Sequence, residues 1–351
     1  MAAKLIRQFD HLVVVGAPSS AAAAAEGVER APAALRAAGL LDRLRAAGYQ
    51  VTDGGDVPAG HFAPDLANPR AKNLPRILAV LEALRPRLEQ AVKSRGVLVV
   101  LGGDATGVIA LAAALRRQAA ALGFVYLGSH AHFHTPADTE DGLVEPMVVS
   151  LLVGQGPAEL VRFWNEPPLV REPDLALFGL DAVGASEREG LERSAIRRYS
   201  LAAIRKQGVR PAAEAALEGV RAGIREFIVH VELDAVAGDA PSASGAAAAG
   251  GLSLEDFAEA LPAFLAPAKL AGLSLAGYNP ALDPDGRGAS KVVELIASGM
   301  AARLAAARSA GPAAVTSSAE ALPPAESAAA PAGDPAPPAA VTSAESESGA
   351  T

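Results

Sequence analysis

Short apolar runs alternate with longer segments of helical period along most of this chain. Leu12 to Val15 is an uninterrupted apolar run closed by Gly16-Ala17-Pro18, and Val97 to Leu101, Phe124 to Leu127 and Leu175 to Leu180 repeat the pattern. Phe227 to Leu233 and Leu273 to Tyr278 follow further on. Between them, apolar residues recur at helical spacing over about 32–47, 74–94, 107–121, 211–224 and 290–308, with Pro32 suited to a first turn and Gly48 to an end. Ser253 with Asp256 three residues on marks a capped helix start. Strands that are apolar throughout, rather than alternating, are buried on both faces. The pattern therefore predicts an α/β fold of three α/β/α layers, with a mainly parallel sheet covered by helices on both sides.

Composition changes the picture at one end. From Gly311 onward the chain holds seven prolines, no aromatic residue and no Lys or Arg. Such a segment buries too little apolar surface to offset its ordering entropy, so the expectation is a folded domain over 1–310 and a disordered Ala/Pro/Ser/Glu tail over 311–351. The tail's five acidic side chains account for five of the eight net negative charges. The body thus has no strong charge, and no basic stripe for nucleic acid. No run approaches the ~20 apolar residues of a membrane span, and the first residues do not read as a secretory signal. With no cysteine, disulfides and thiol chemistry are excluded, and the chain is expected to be soluble and cytoplasmic.

Four blocks in order carry a resemblance. They are the Val13-to-Leu44 segment with TDGGDVP after it, LGGDAT at Leu101–Thr106, LGSHAHFHTPADTEDG at Leu127–Gly142, and VHVELDAVAGDAPSASG at Val229–Gly245 followed by GGLS. Together they resemble the ureohydrolase (arginase/agmatinase) family, and arginase most closely, over about residues 10–308. The resemblance implies the arginase-like fold, self-association as a trimer or hexamer, and hydrolysis of a guanidinium or amidine by two bridged divalent metals.

Carried over position by position, the resemblance also implies that this machinery is largely dismantled. Ala105 stands where the family has a metal-binding His, and Gly128 where it has the Asp that bridges both metals. His132 replaces a further Asp and Glu232 another, while His130 and Asp234 are kept. Among substrate-holding positions His134 replaces Asn, Asp141 replaces Ser, Glu145 replaces the proton-shuttling His, Gly184 replaces Asp and Gly277 replaces the guanidinium-clamping Glu. Glu187 is the one survivor of that group. Two carboxylates do not balance two dications, so a binuclear manganese centre is not expected.

Two readings stay open. In one the chain is a catalytically degenerate family member with a structural, regulatory or ligand-binding role. In the other it is a hydrolase of C–N bonds with one divalent metal (Mn, Zn or Ni) on His130, His132, Glu232 and Asp234, with Glu145 or Asp141 as acid/base groups and His134 and Glu187 lining a substrate site. A continuing strand would put His130, His132 and His134 on one face. A metal-free cluster, in which His130, His132 and His230 compensate the acids, is the bland alternative. Asp104 is expected to be structural, and Gly102-Gly103 lack the spacing of a phosphate-binding fingerprint. His11 and His61 are expected to be structural or surface residues, and the small-molecule ligand is unknown.

Overall fold

A computed structural model describes residues 7–23, 26–181, 183–224, 226–233 and 251–317, with side chains to residue 309. Eight strands, β1 (His11–Ala17), β2 (Gln50–Asp56), β3 (Val97–Gly102), β4 (Leu122–Leu127), β5 (Leu175–Leu180), β6 (Arg197–Ser200), β7 (Glu226–Glu232) and β8 (Leu270–Ala276), form one sheet in the order β2-β1-β3-β8-β7-β4-β5-β6. Every pairing is parallel. The longer helices are α1 (Ala31–Ala37), α2 (Leu40–Ala46), α3 (Leu74–Lys93), α4 (Gly107–Arg116), α5 (Val148–Leu152), α6 (Ala158–Val161), α7 (Ala185–Arg193), α8 (Leu201–Gln207), α9 (Val209–Arg221), α10 (Leu254–Leu265) and α11 (Arg287–Ser317).

The period of two in the strands divides the core into two layers. Val13, Val15, Leu98, Val100, Phe124 and Tyr126 face α3 and α4, whereas Leu12, Val14, Val99, Val125, Leu127 and Val229 face α9, α10 and α11. The three-layer α/β/α expectation holds, and the sheet is wholly parallel among the described residues. Crossover strands buried on both faces need apolar runs, and those runs are what the sequence displays.

Three boundaries differ from the expectation. The segment over 32–47 is two helices, because Gly39 takes φ of 90° and turns the chain between α1 and α2. The strands β2 and β6 had no apolar run to announce them; they are the two sheet edges, and half or more of their residues remain partly exposed. The last helix continues past Gly311 to Ser317, and the rest of the expected tail lies outside the described residues. The expected start of α10 is present: Ser253 Oγ accepts from Asp256 N at 3.1 Å and Asp256 Oδ2 accepts from Ser253 N at 3.0 Å.

Candidate functional site

In an open parallel sheet, the loops leaving the C-terminal strand ends form the crevice where ligands bind. Here the loops after β1, β3, β4 and β8 are stitched together by backbone bonds. Gly103 N donates to Ala17 O at 3.0 Å, Asp104 N to Ser19 O at 2.7 Å and Gly277 N to Gly103 O at 2.9 Å. The approach is so close that a Cβ on Gly103 would sit 2.2 Å from Ser19 O, so only glycine is admitted.

Asp104 anchors this junction from a fully buried position. Its Oδ2 accepts from Ser19 Oγ at 2.6 Å and Ala22 N at 3.1 Å, and its Oδ1 accepts from Thr106 N at 3.0 Å and Thr106 Oγ1 at 2.5 Å. Burial pushes its carboxyl above the usual range, against the pull of those four donors. It is a loop-organising residue, with every lone-pair direction committed inward.

The centre of the cluster is Tyr126, on β4 and 0% exposed. Its hydroxyl donates to Glu232 Oε2 at 3.0 Å and lies 2.7 Å from His132 Nδ1. His230, equally buried, places Nε2 3.1 Å from the same Glu232 oxygen, and its ring lies 4.7 Å from the Tyr126 ring. The Tyr126 ring also fills the space beside Gly128. A Cβ at residue 128 would fall 2.6 Å from Tyr126 Cε1 and 3.3 Å from Glu232 Cβ. An aromatic ring thus occupies the volume that a longer side chain at 128 would need.

The three histidines do not share one face. The strand β4 ends at Leu127, and His132 takes φ of 48°, a left-handed conformation that L residues adopt at a cost. That turn sends His132 inward to Tyr126. His134 instead points to a second carboxylate group, with Nε2 3.6 Å from Glu187 Oε2 and Nδ1 3.9 Å from Asp138 Oδ2. His130 is half-buried, with its ring 6.1 Å from that of His132 and Nδ1 3.3 Å from Ser129 Oγ. The expectation of a continuing strand with a common imidazole face is therefore corrected: the kink at His132 turns His134 away, while the His130 and His132 rings stay beside each other.

The remaining candidates are divided. Glu145 reaches the junction and accepts from Ala105 N at 3.0 Å. Glu187 is buried and accepts from Phe133 N at 3.0 Å and Gly184 N at 3.2 Å, which ties the start of α7 to the histidine loop. Asp141 is exposed on a turn, where Oδ1 accepts from Leu143 N at 2.9 Å and Thr139 Oγ1 at 3.2 Å; it is not brought to the cluster. Asp234 lies outside the described residues. Among the described residues, no group of three or more His, Asp or Glu side chains is placed to hold a metal ion.

The fold has counterparts in known proteins. A model described as "Arginase family" matches residues 10–302. The chain belongs to the arginase family. It is 25% identical over 288 residues to an arginase of Staphylococcus aureus (strain COL), covering 81% of this chain and 94% of that one. It is 28% identical over 297 residues to an arginase of Brucella melitensis, covering 82% and 95% respectively. In structure it is similar to the arginase of Bacillus caldovelox, with a TM-score of 0.78 at 23% identity over 83% of this chain and 98% of that one. The Bacillus subtilis arginase gives a TM-score of 0.75 at 25% identity, with the same coverage.

Tyr126 is the residue that sequence reasoning missed. It was read only as part of a buried strand, yet a buried phenol needs a partner for its hydroxyl, and the period of two puts residues 126 and 128 on one side.

Proposed function

We propose that this arginase-family protein is catalytically degenerate toward arginine and agmatine and has a ligand-binding or regulatory role on the family fold. The observation that carries this reading is the Tyr126 phenol, bonded to both His132 and Glu232 with its ring against Gly128. A two-metal centre needs a dense set of anionic oxygens at that point. Here a neutral phenol fills it, and the backbone at Ala105 is tied to Glu145. The residues present do not fit a metal pair, and no chemical step is derived through one.

A single divalent ion is the second reading, favoured by the proximity of the His130 and His132 rings. It requires Tyr126 to release His132 or Glu232, with Asp234 supplying a further oxygen. Self-association as trimer or hexamer, a cytoplasmic setting and a separate tail after α11 accompany both readings as proposals. No helix among the described residues is long and apolar enough to cross a membrane.

The test combines elemental mass spectrometry with a urea assay, on untagged protein dialysed against trace manganese, zinc and nickel. The expected result is no stoichiometric metal and no urea from arginine or agmatine. Urea release with manganese overturns the proposal. One metal per chain, lost in His130→Ala, would establish the single-ion reading instead.

A further inference from the structure

A second cavity lies at the opposite end of the strands, where β3 begins rather than where it ends. It encloses about 420 Å³ and is lined by Lys93, Arg95, Arg117 and Trp164, with Glu89 as the one carboxylate of its wall. Lys93 is the last residue of α3, Arg117 follows the last residue of α4, and Arg95 lies just ahead of β3. Lys93 and Arg117 stand at the carbonyl ends of α3 and α4, where cations complement the helix dipoles.

The side chains of Lys93, Arg95 and Arg117 are all exposed to solvent. Glu89 is engaged by Arg85, with Nε 3.9 Å from Oε1, and Arg85 also lies 3.4 Å from Glu82. Among the described residues, none of Lys93, Arg95 and Arg117 forms an ion pair. Arg117 donates weakly to Trp164 O at 3.4 Å, and its guanidinium carbon lies 5.5 Å from the Trp164 ring centre. That contact leaves most of its donors directed elsewhere.

The backbone supplies an independent indication. Among the described residues four non-glycine positions have positive φ, and two of them, Arg95 and Trp164, both at 61°, line this cavity. Each is held there by its surroundings. Gln8 N donates to Arg95 O at 2.7 Å, and Asn165 Nδ2 reaches Ala113 O at 2.8 Å, fastening the Trp164 segment to α4. Strained residues persist where neighbours over-determine them, and they concentrate at ligand clamps.

We propose that this cleft binds a small phosphorylated organic anion, its phosphate oxygens on Lys93, Arg95 and Arg117 and its organic part against Trp164. Guanidinium forks match phosphate oxygens in pairs, and an ammonium adds a point charge. The volume lies in the range of small-molecule sites and exceeds what inorganic phosphate alone would fill. The cleft stands independently of the Tyr126 cluster.

Trp164 is the only tryptophan in the chain, which makes its emission a direct reporter. The full chain is titrated with ribose 5-phosphate and pyrophosphate, with citrate and sodium chloride at matched ionic strength as comparators, and binding heats are measured in parallel. The expected result is a saturable change with the phosphorylated probes, at least tenfold weaker in the double variant Lys93→Gln/Arg95→Gln. Neither residue is stacked on Trp164, and an unchanged thermal midpoint shows that the variant is folded. A response reproduced by chloride, retained in the variant, or absent from both fluorescence and calorimetry overturns the proposal. Citrate binding as tightly as the phosphorylated probes overturns the assignment to phosphate.

Discussion

Replacing Tyr126 by Phe removes one oxygen from the centre of the cluster and leaves its ring in place. That oxygen sits 2.7 Å from His132 Nδ1 and 3.0 Å from Glu232 Oε2, with no exposure to solvent. A hydrogen bond to an ionised group contributes about 1.5–3 kcal/mol and a neutral one about 1 kcal/mol, most of it the cost of stranding a buried partner. Glu232 retains His230 at 3.1 Å, so its loss falls at the lower end. His132 is held in a left-handed backbone conformation that its side-chain anchor helps to maintain. Together these give an expected loss of about 2–4 kcal/mol, a factor of roughly 30 to 1,000 in the folding constant. Urea unfolding followed by Trp164 emission and by far-ultraviolet circular dichroism measures it, with an unchanged m-value as the condition for comparison. Tyr199→Phe is the control: that phenol is half-buried on an edge strand and makes no hydrogen bond among the described residues, so its expected change is within about 0.5 kcal/mol. A Tyr126→Phe loss no larger than the control's would refute the view that the phenol holds the cluster together.

Two further substitutions probe the same architecture. Gly128→Ala drives a methyl group against the Tyr126 ring, where the Cβ has only 2.6 Å, and is expected to cost about 1–3 kcal/mol by overpacking. In a Tyr126→Ala background that cost should disappear, and a double-mutant cycle in urea reads the coupling directly. Asp104→Asn must aim its amide at either Ala22 N–H or Thr106 N–H, a donor facing a donor, for an expected loss of about 1–3 kcal/mol. Because burial raises the Asp104 carboxyl above its ordinary 3.8, the folded chain keeps that proton to higher pH than the unfolded chain does. Its contribution to stability is therefore complete below that value and is lost as pH rises through the folded-state pKa. Unfolding measured across the acid range should show this decline in the native chain and a flatter profile in the variant.

The central strands were legible because their environment leaves a plain trace. A strand between two helix layers has no polar face, so Val97 to Leu101 and Leu175 to Leu180 stand out as continuous apolar runs. The edge strands carry no such trace. In β2, Gln50–Asp56, and β6, Arg197–Ser200, most side chains meet solvent, and the sequences QVTDGGD and RRYS read as loop. What recruits them is pairing to a neighbour already in the sheet, β1 for one and β5 for the other, which is a tertiary cause with no local periodicity. The break between α1 and α2 was legible in principle, since Gly39 interrupts a helical pattern, but a glycine in such a pattern is often tolerated.

The candidate site was legible as a list of residues and not as an arrangement. His130, His132 and His134 alternate in sequence, and alternation places side chains on one face only while the backbone stays extended. With His132 at positive φ, His134 parts from His130 and His132 and meets Glu187 and Asp138 instead. The glycine at 128 was equally visible, and close-packed interiors do not leave the space beside a glycine empty. The question to ask of Gly128 was which neighbour takes the space. Only Tyr126 lies on the same face of β4, two residues away, with a ring large enough to fill it and a hydroxyl that then requires polar partners. Those partners are His132 and Glu232, two of the side chains that resemblance marks as metal ligands. The glycine at 128 and the bonding of the phenol are thus one arrangement: with no side chain at 128 the Tyr126 ring takes the space, and its hydroxyl donates to Glu232 and lies within hydrogen-bond distance of His132.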